Sequence, residues 1–281
     1  PRLPAYPSLM ATLLVRNAHT LATMDPTRRE IAGGGLFARD GFIEQVGPTA
    51  DLPAEADQVV DASGMLVLPG LINTHHHLYQ TLTRAVPGAQ DVGLFPWLKR
   101  LYPIWARMTP EDVGLATRVG LLELARSGCT TVFDHQYLWP NGSSVGDQVA
   151  AAHEVGVRFH VSRGSMSLGE SKGGLPPDSV VEDEDTILED CLHAISAYHD
   201  PSPGSMTRVV LAPCSPFSVT PELMREAAAS PVWRPSLHPN WIFRPARLDA
   251  ISSRYFPNIG PPSRYHPGTA RVVQGGRKKG P

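Results

Sequence analysis

The sequence predicts an α/β fold: the first four β/α units of a (β/α)8 barrel over residues 65–229, preceded by a small β-sandwich segment over residues 10–64. Short β-rich pieces separated by glycine turns fill the first segment, and beyond it apolar strands alternate with stretches of 3.6-residue period. An apolar run ending in His75-His76-His77 marks where the barrel begins and suggests what it holds.

The opening residues, Pro1 to Leu9, carry three prolines and no periodicity, so they read as an extension and Met10 as the natural start. From Thr12 to about Ala62 come Leu13-Leu14-Val15, then Leu36-Phe37-Ala38, then Asp40-Gly41 followed by Phe42-Ile43-Glu44-Gln45-Val46. Asp-Gly between two apolar runs predicts a β-hairpin.

Met65-Leu66-Val67-Leu68 is continuously apolar, as suits a strand buried on both faces of a parallel sheet, and Pro69-Gly70 interrupts it before the histidines. Strand side chains alternate with period two, so His75 and His77 are expected on one face and His76 on the other. Two imidazoles at the carboxyl end of a barrel strand form half of a metal site.

Further elements follow in order. Thr109-Pro110-Glu111-Asp112 has an N-cap residue, a proline for the first turn and acids beside the positive helix end, and it leads into a helix to Arg126 that Gly128 stops. Thr130 to Asp134 predicts a second strand, Gly146 to Val155 a helix, and Val157 to Val161 a third strand. The acidic run Val181 to Asp185 opens a helix whose Ile187, Leu188, Cys191, Leu192, Ile195 and Tyr198 are spaced for one buried face. Its charges read as a solvated helix start. Arg208 to Pro213 predicts a fourth strand, and Thr220-Pro221-Glu222-Leu223 another capped helix. Asp134, His135 and His160, placed at the ends of strands two and three, could lend ligands to the same mouth or be held by local hydrogen bonds.

A hydrophobic content of 42%, a charged content of 19% and a net charge of -2 give no global basicity of the kind nucleic-acid binding requires. No apolar run approaches the roughly 20 residues that span a bilayer, and no charged-then-apolar leader is visible, so a cytoplasmic location is expected. Cys129, Cys191 and Cys214 are odd in number and far apart, which fits reduced thiols, with Cys129 a small core residue where a helix hands over to a strand.

Beyond Ala229 the character changes. Pro231, Pro235, Pro239, Pro245, Pro257, Pro261, Pro262 and Pro267 exclude long helices and central strands, and a series of arginines and lysines from Arg234 to Lys279 faces one acid, Asp249. Residues 230–281 therefore read as an aberrant, disordered Pro/Arg-rich tail. It is a basic arm for an acidic partner, a short domain, or the product of a shifted reading frame. The change comes within the helix that opens at Thr220, which favours the shifted frame.

Three stretches carry a family resemblance: Pro69 through the three histidines to Arg84, Leu101-Tyr102-Pro103-Ile104-Trp105, and Ala212-Pro213-Cys214-Ser215-Pro216-Phe217-Ser218. Over about residues 10–229 the chain resembles the amidohydrolase superfamily, in its branch of aminohydrolases (deaminases) acting on N-heterocycles such as 8-oxoguanine or hydroxylated triazines. The resemblance implies a distorted (β/α)8 barrel with a β-sandwich built from both chain ends, and hydrolysis of C–N bonds other than peptide bonds. It casts His75 and His77 as ligands of one divalent metal, zinc first and iron second. It places Gln80 against a small N-heterocyclic substrate, and Trp97 and Tyr102 where loop aromatics could cover a flat ring, although isolated aromatics at such spacing are core more often than not.

The family's third histidine, in a His-x-x-Glu arrangement on strand five, should fall near Leu237-His238-Pro239-Asn240, where Asn240 stands at the ligand and Phe243 at the acid. No strand-eight aspartate follows, and His266 lies among prolines. Catalytic zinc normally has three protein ligands, so the chain as given is expected to be inactive. The alternative is a non-catalytic half-barrel that self-associates through its open edges, or binds metal or an acidic partner through its basic tail.

Overall fold

The computed structural model describes residues 12–229. The expectations placed on residues 1–9, Met10 and the tail, including His238, Asn240, Phe243, Asp249 and His266, lie outside the described residues.

The N-terminal segment forms one mixed sheet. Strands β1 (Thr12–Ala22), β2 (Glu30–Arg39) and β3 (Phe42–Pro48) run antiparallel in sequence, while β4 (Gln58–Asp61) and β5 (Leu66–Val67) pair in parallel with successive parts of β1. The β2–β3 hairpin closes through Asp40 (φ 50°) and Gly41 (φ 82°), the two left-handed residues a tight hairpin turn needs. Ala18, Leu21 and Ala62 are buried beneath Val15, Ile31, Leu36, Val46 and Val67. This is one layer, and the described residues supply no second sheet facing it.

The barrel half begins later than expected. Met65 to Leu68 is not a barrel strand: Leu66 and Val67 pair with Thr20 and Leu21 of β1. Pro69 has no N–H to continue a ladder, and the first barrel strand is β6 (Leu71–Asn73). Gly70 explains the junction, because a Cβ there would overlap the Thr130 side chain of the neighbouring strand. Nor is the run buried on both faces: Met65, Leu66, Leu68, Leu71 and Ile72 are all exposed.

Strands β6, β7 (Cys129–Asp134), β8 (Arg158–Ser165) and β9 (Thr207–Pro213) form a parallel sheet in chain order, as consecutive β/α units must. Helices α1 (Leu94–Trp105) and α2 (Pro110–Arg126) connect β6 to β7, α3 (Val145–Val155) connects β7 to β8, α4 (Glu184–Tyr198) connects β8 to β9, and α5 (Pro221–Ala229) follows. Among the described residues this is half of an eight-strand barrel. Val132, Phe159, Val161 and Val209 from the strands pack with Leu121, Val145, Val149 and Ala194 from the helices.

The helix starts follow from their capping residues. Thr109 and Asp112 exchange hydrogen bonds in a capping box, with Pro110 at the first position. Ser144 and Asp147 repeat that box in α3, and Asp183 caps α4 by accepting from the N–H groups of Asp185 and Thr186. On α4 Ile187 and Cys191 are buried as their spacing predicts, but Leu192 is exposed. Helix α1 was not foreseen, because Pro96 and Pro103 within it read as breaks, although Leu101, Tyr102 and Trp105 line one buried face.

Strand β8 is longer than Val157 to Val161, and its polar second half, Ser162 to Ser165, is buried. Arg163, 1% exposed, makes this possible: it pairs with Glu182 at 2.8 Å and with Asp190, and lies 5.2 Å from the Trp139 ring centroid. His160 consequently does not end its strand. It is the third residue of eight, opposite Arg208 in register, and not at the mouth. All three cysteines are free, Cys129 and Cys191 buried. Among the described residues no helix is long and apolar enough to cross a membrane.

Candidate metal centre

Asn73 ends β6, so the histidines sit in the loop beyond the strand, not on it. His75 and His77 nevertheless converge, with ring centroids 5.2 Å apart and ring planes at 89°. His76 points elsewhere; its Nδ1 is buried without a protein partner, and burial lowers its pKa.

The end of β7 holds this loop. The His135 N–H donates to the His76 carbonyl at 2.8 Å, the His77 Nδ1–H donates to the His135 carbonyl at 2.6 Å, and the Leu78 N–H donates to Asp134 Oδ1 at 2.6 Å. The second of these bonds fixes the His77 tautomer. With Nδ1 protonated, Nε2 carries the lone pair and has no protein partner among the described residues. Burial pushes the His77 pKa down, which keeps the ring neutral and able to ligate.

Asp134 is fully buried, and its Oδ2 accepts from Gln148 Nε2 at 2.6 Å. Burial raises its pKa to about 7, against the lowering effect of its hydrogen bonds from Leu78 and Gln148. His135 Nε2–H donates to the Ala212 carbonyl at 3.0 Å, so a local hydrogen bond engages this ring. Burial depresses its pKa to about 4.

Beside the histidines stands a set of aromatics. Tyr137, which the sequence reading missed, has its ring centroid 5.6 Å from His77 and 5.2 Å from His135, and Tyr79 lies 5.7 Å beyond. Gln80 Nε2 donates to the Tyr79 hydroxyl at 3.0 Å and reaches the Tyr137 hydroxyl at 3.5 Å, so it faces the same cluster. Burial raises the pKa of both tyrosines and keeps their hydroxyls protonated. The signal for Tyr137 was its place three residues past a strand end.

Trp97 and Tyr102 take places in the wall behind. Trp97 is partly buried against Trp105, with centroids 5.3 Å apart. Tyr102 is buried beside Trp105 at 5.7 Å, with its hydroxyl 3.9 Å from Met166 Sδ. Both belong to the aromatic cluster around Trp105.

The donors fit a divalent metal in part. His75 and His77 bring two imidazole rings together, yet no group of three or more His, Cys, Asp or Glu that could hold a metal occurs among the described residues. A catalytic zinc needs more donors than these two.

Known proteins resemble the chain over this region. The amidohydrolase family model matches residues 66–230 and stops where the Pro/Arg-rich tail begins. An 8-oxoguanine deaminase of Pseudomonas aeruginosa is 52% identical over 201 residues, covering 70% of this chain and 44% of that protein. A hydroxydechloroatrazine ethylaminohydrolase of a Pseudomonas species is 37% identical, covering 78% and 48%. The structure of atrazine chlorohydrolase from Arthrobacter aurescens TC1 complexed with zinc matches with a TM-score of 0.70 and 33% identity, over 77% of this chain and 49% of that one. The chain thus spans about half the length of the relatives it matches. With a family match over more than half of its residues and a fold to agree with it, the chain belongs to the amidohydrolase family.

Proposed function

We propose that the chain carries the first half of a metal-dependent hydrolase of C–N bonds, an aminohydrolase of N-heterocycles such as 8-oxoguanine or hydroxylated triazines. The observation that carries this is the His77 ring, held by its Nδ1–H on the His135 carbonyl and turned toward His75 with Nε2 open. His75 and His77 would hold one divalent metal, zinc first and iron second. When bound, such an ion supplies Lewis-acid activation of water near neutral pH.

The chain's own residues support recognition of a flat polar ring. Gln80 and Tyr137 present an amide and a hydroxyl beside the histidines, and Tyr79, Trp97, Tyr102 and Trp105 pack with Tyr137 in one apolar cluster. Among the described residues no Asp or Glu forms a metal-holding group with His75 and His77, so on this reading the general acid that would protonate the ring or the departing ammonia is not among them. The chain alone is inactive on this reading. Its free cysteines suit a reducing, cytoplasmic setting.

Metal analysis and ammonia release on 8-oxoguanine and hydroxylated triazines test this. The chain alone should give substoichiometric metal and no ammonia. Co-expression with the C-terminal half of the Pseudomonas aeruginosa relative should restore both, and His77→Ala should abolish both. A complemented protein that holds metal but deaminates none of these substrates sinks the hydrolase reading; turnover by the chain alone sinks the inactivity.

The second reading is a non-catalytic half-barrel that self-associates. The exposed Leu71 and Ile72 on the open edge of β6 favour it. A concentration-dependent increase in size by sedimentation, with metal bound or absent, would support it.

A further inference from the structure

The loop that carries the histidines has no regular structure of its own. His77 sits at φ -131° and ψ 79°, outside both the helical and the strand regions, so its direction is set by what the loop bonds to. Three consecutive residues, His76 to Leu78, each make one hydrogen bond to Asp134 or His135 at the end of β7. On the β7 side, two of the three use the backbone N–H and carbonyl of His135, which any residue would supply. The third depends on a β7 side chain, that of Asp134.

Asp134 is fully buried, as is Gln148, its second partner. Oδ1 takes the Leu78 N–H and Oδ2 takes Gln148 Nε2, whose amide also lies 3.4 Å from Thr117 Oγ1 on α2. One carboxylate therefore links the residue after His77 to α3 and, through Gln148, to α2. Without it the Leu78 N–H would be left unpaired in a dry interior, and the loop would have to move to satisfy it. A shift at Leu78 would carry the adjacent His77 away from the His135 carbonyl and free its ring to change tautomer.

We propose that Asp134 is a positioning residue for His77: by gripping the Leu78 N–H it holds the imidazole in the Nδ1–H tautomer, with Nε2 aimed beside His75. The proposal rests on the reading of His77 as a metal ligand. The grip itself needs no metal, and it requires an acceptor at Oδ1 more than it requires a charge. Gln148 Oε1 is buried without a partner, so an asparagine at 134 could still accept from Leu78 while Gln148 turned its amide to accept from the new Nδ2.

The test combines nitrogen NMR of the histidine rings in the metal-free chain with titration of Co2+ as a spectroscopic probe. In the unaltered chain His77 should show a protonated Nδ1 and an unprotonated Nε2. Asp134→Leu should give a mixture of tautomers and Co2+ binding weakened about 10- to 100-fold, the usual effect of losing a partner that orients a ligand. Asp134→Asn should keep the tautomer and most of the affinity. Asp134→Leu with an unaltered His77 ring and unaltered Co2+ affinity overturns the proposal. So does Asp134→Asn behaving like Asp134→Leu, because that would assign the effect to lost charge and not to the grip. Should Asp134→Leu fail to fold, the unaltered chain still decides: the Leu78 amide proton should exchange slowly and resonate far downfield, and a rapidly exchanging Leu78 amide overturns the inference. An unaltered chain that binds no Co2+ at all refutes the ligand reading, while the tautomer measurement continues to test Asp134 independently.

Discussion

Strands β6 and β8 lie in the same parallel sheet and invert what hydropathy alone would lead one to expect. β6 is Leu71-Ile72-Asn73, yet Leu71 is 57% and Ile72 50% exposed. β8 contains Ser162, Arg163 and Ser165, yet all three are buried. The difference lies in their neighbours. β8 is paired on both sides, by β7 and β9, and covered by α3 and α4, whereas among the described residues β6 is paired only by β7. Burial belongs to a strand's place in the sheet, and a polar strand can occupy a central place if its charge is paired.

That contrast can be broken most directly by cutting apolar volume on each strand. Phe159→Ala, in the packed centre of β8, should lower unfolding free energy by about 3–5 kcal/mol. Ile72→Ala on β6 should cost less than about 1 kcal/mol, because half of that side chain already meets water. Urea denaturation of both variants measures the difference. Equal losses would mean that β6 is covered in solution, for example by a second copy of the chain, and sedimentation would then show the larger species.

The part of the fold that was legible in the sequence is the part determined by local chemistry. Asp40-Gly41 announced its hairpin because both residues tolerate positive φ, and Thr109 with Asp112 announced α2 because their side chains satisfy the free N–H groups of a helix start. What failed depended on distant residues. Ser162 to Ser165 reads as a loop until Glu182 and Asp190, from the next connection and helix, are brought against Arg163. Met65 to Leu68 reads as a barrel strand until Leu66 and Val67 are seen paired with β1.

The site divides in the same way. His75 and His77 were visible as a pair with period two, although they converge through a loop and not through strand alternation. Asp134 and His135 were visible as residues at a strand end, but their work on the histidine loop needed the register of β6 against β7. Tyr137 was invisible because an aromatic past a strand is usually packing, and only its distance to His77 sets it apart.

A somewhat smaller effect should come from His160, which hydropathy would leave at the surface and the fold half-buries near the start of β8. Burial holds its pKa at about 4, below its ordinary 6.5, with Arg208, Arg158 and His199 adding to the lowering. The folded state therefore prefers the neutral ring. The contribution is complete above pH 6.5 and is lost as pH falls from 6.5 toward about 4, while the unfolded chain takes up the proton first. The loss amounts to roughly 3 kcal/mol across that window. His160→Phe should flatten this share of the acid slope in urea titrations at pH 7 and pH 5. His135, also depressed to about 4, continues to contribute in the variant, so a slope unchanged by His160→Phe would assign the acid sensitivity to the histidine loop instead.

Arg163 sharpens the comparison from the polar side. Arg163→Met keeps the length of the side chain and its packing on Trp139 but leaves Glu182 and Asp190 without their cation. Complete burial of all three groups would make the loss larger, but both carboxylates reach solvent, so a loss of roughly 2 kcal/mol is expected. Glu182→Gln combined with Arg163→Met should recover part of it, because the most buried carboxylate is then neutral. No recovery in the double variant would mean that the arginine stabilises β8 through its bond to the Gly164 carbonyl.

A small effect distinguishes a local device from the sheet itself. Thr109→Ala removes the acceptor for the Asp112 N–H at the start of α2, and about 1 kcal/mol should be lost. Helix α2 belongs to the connection between the open strand β6 and the paired strand β7, and it packs against the turn that follows the histidines. If the helix responds only to its own cap, Thr109→Ala and Ile72→Ala should add within about 0.5 kcal/mol in the double variant. Coupling well above that would show that the exposed strand and its helix yield as one unit, and that the open edge of β6 weakens the whole connection carrying His75 and His77.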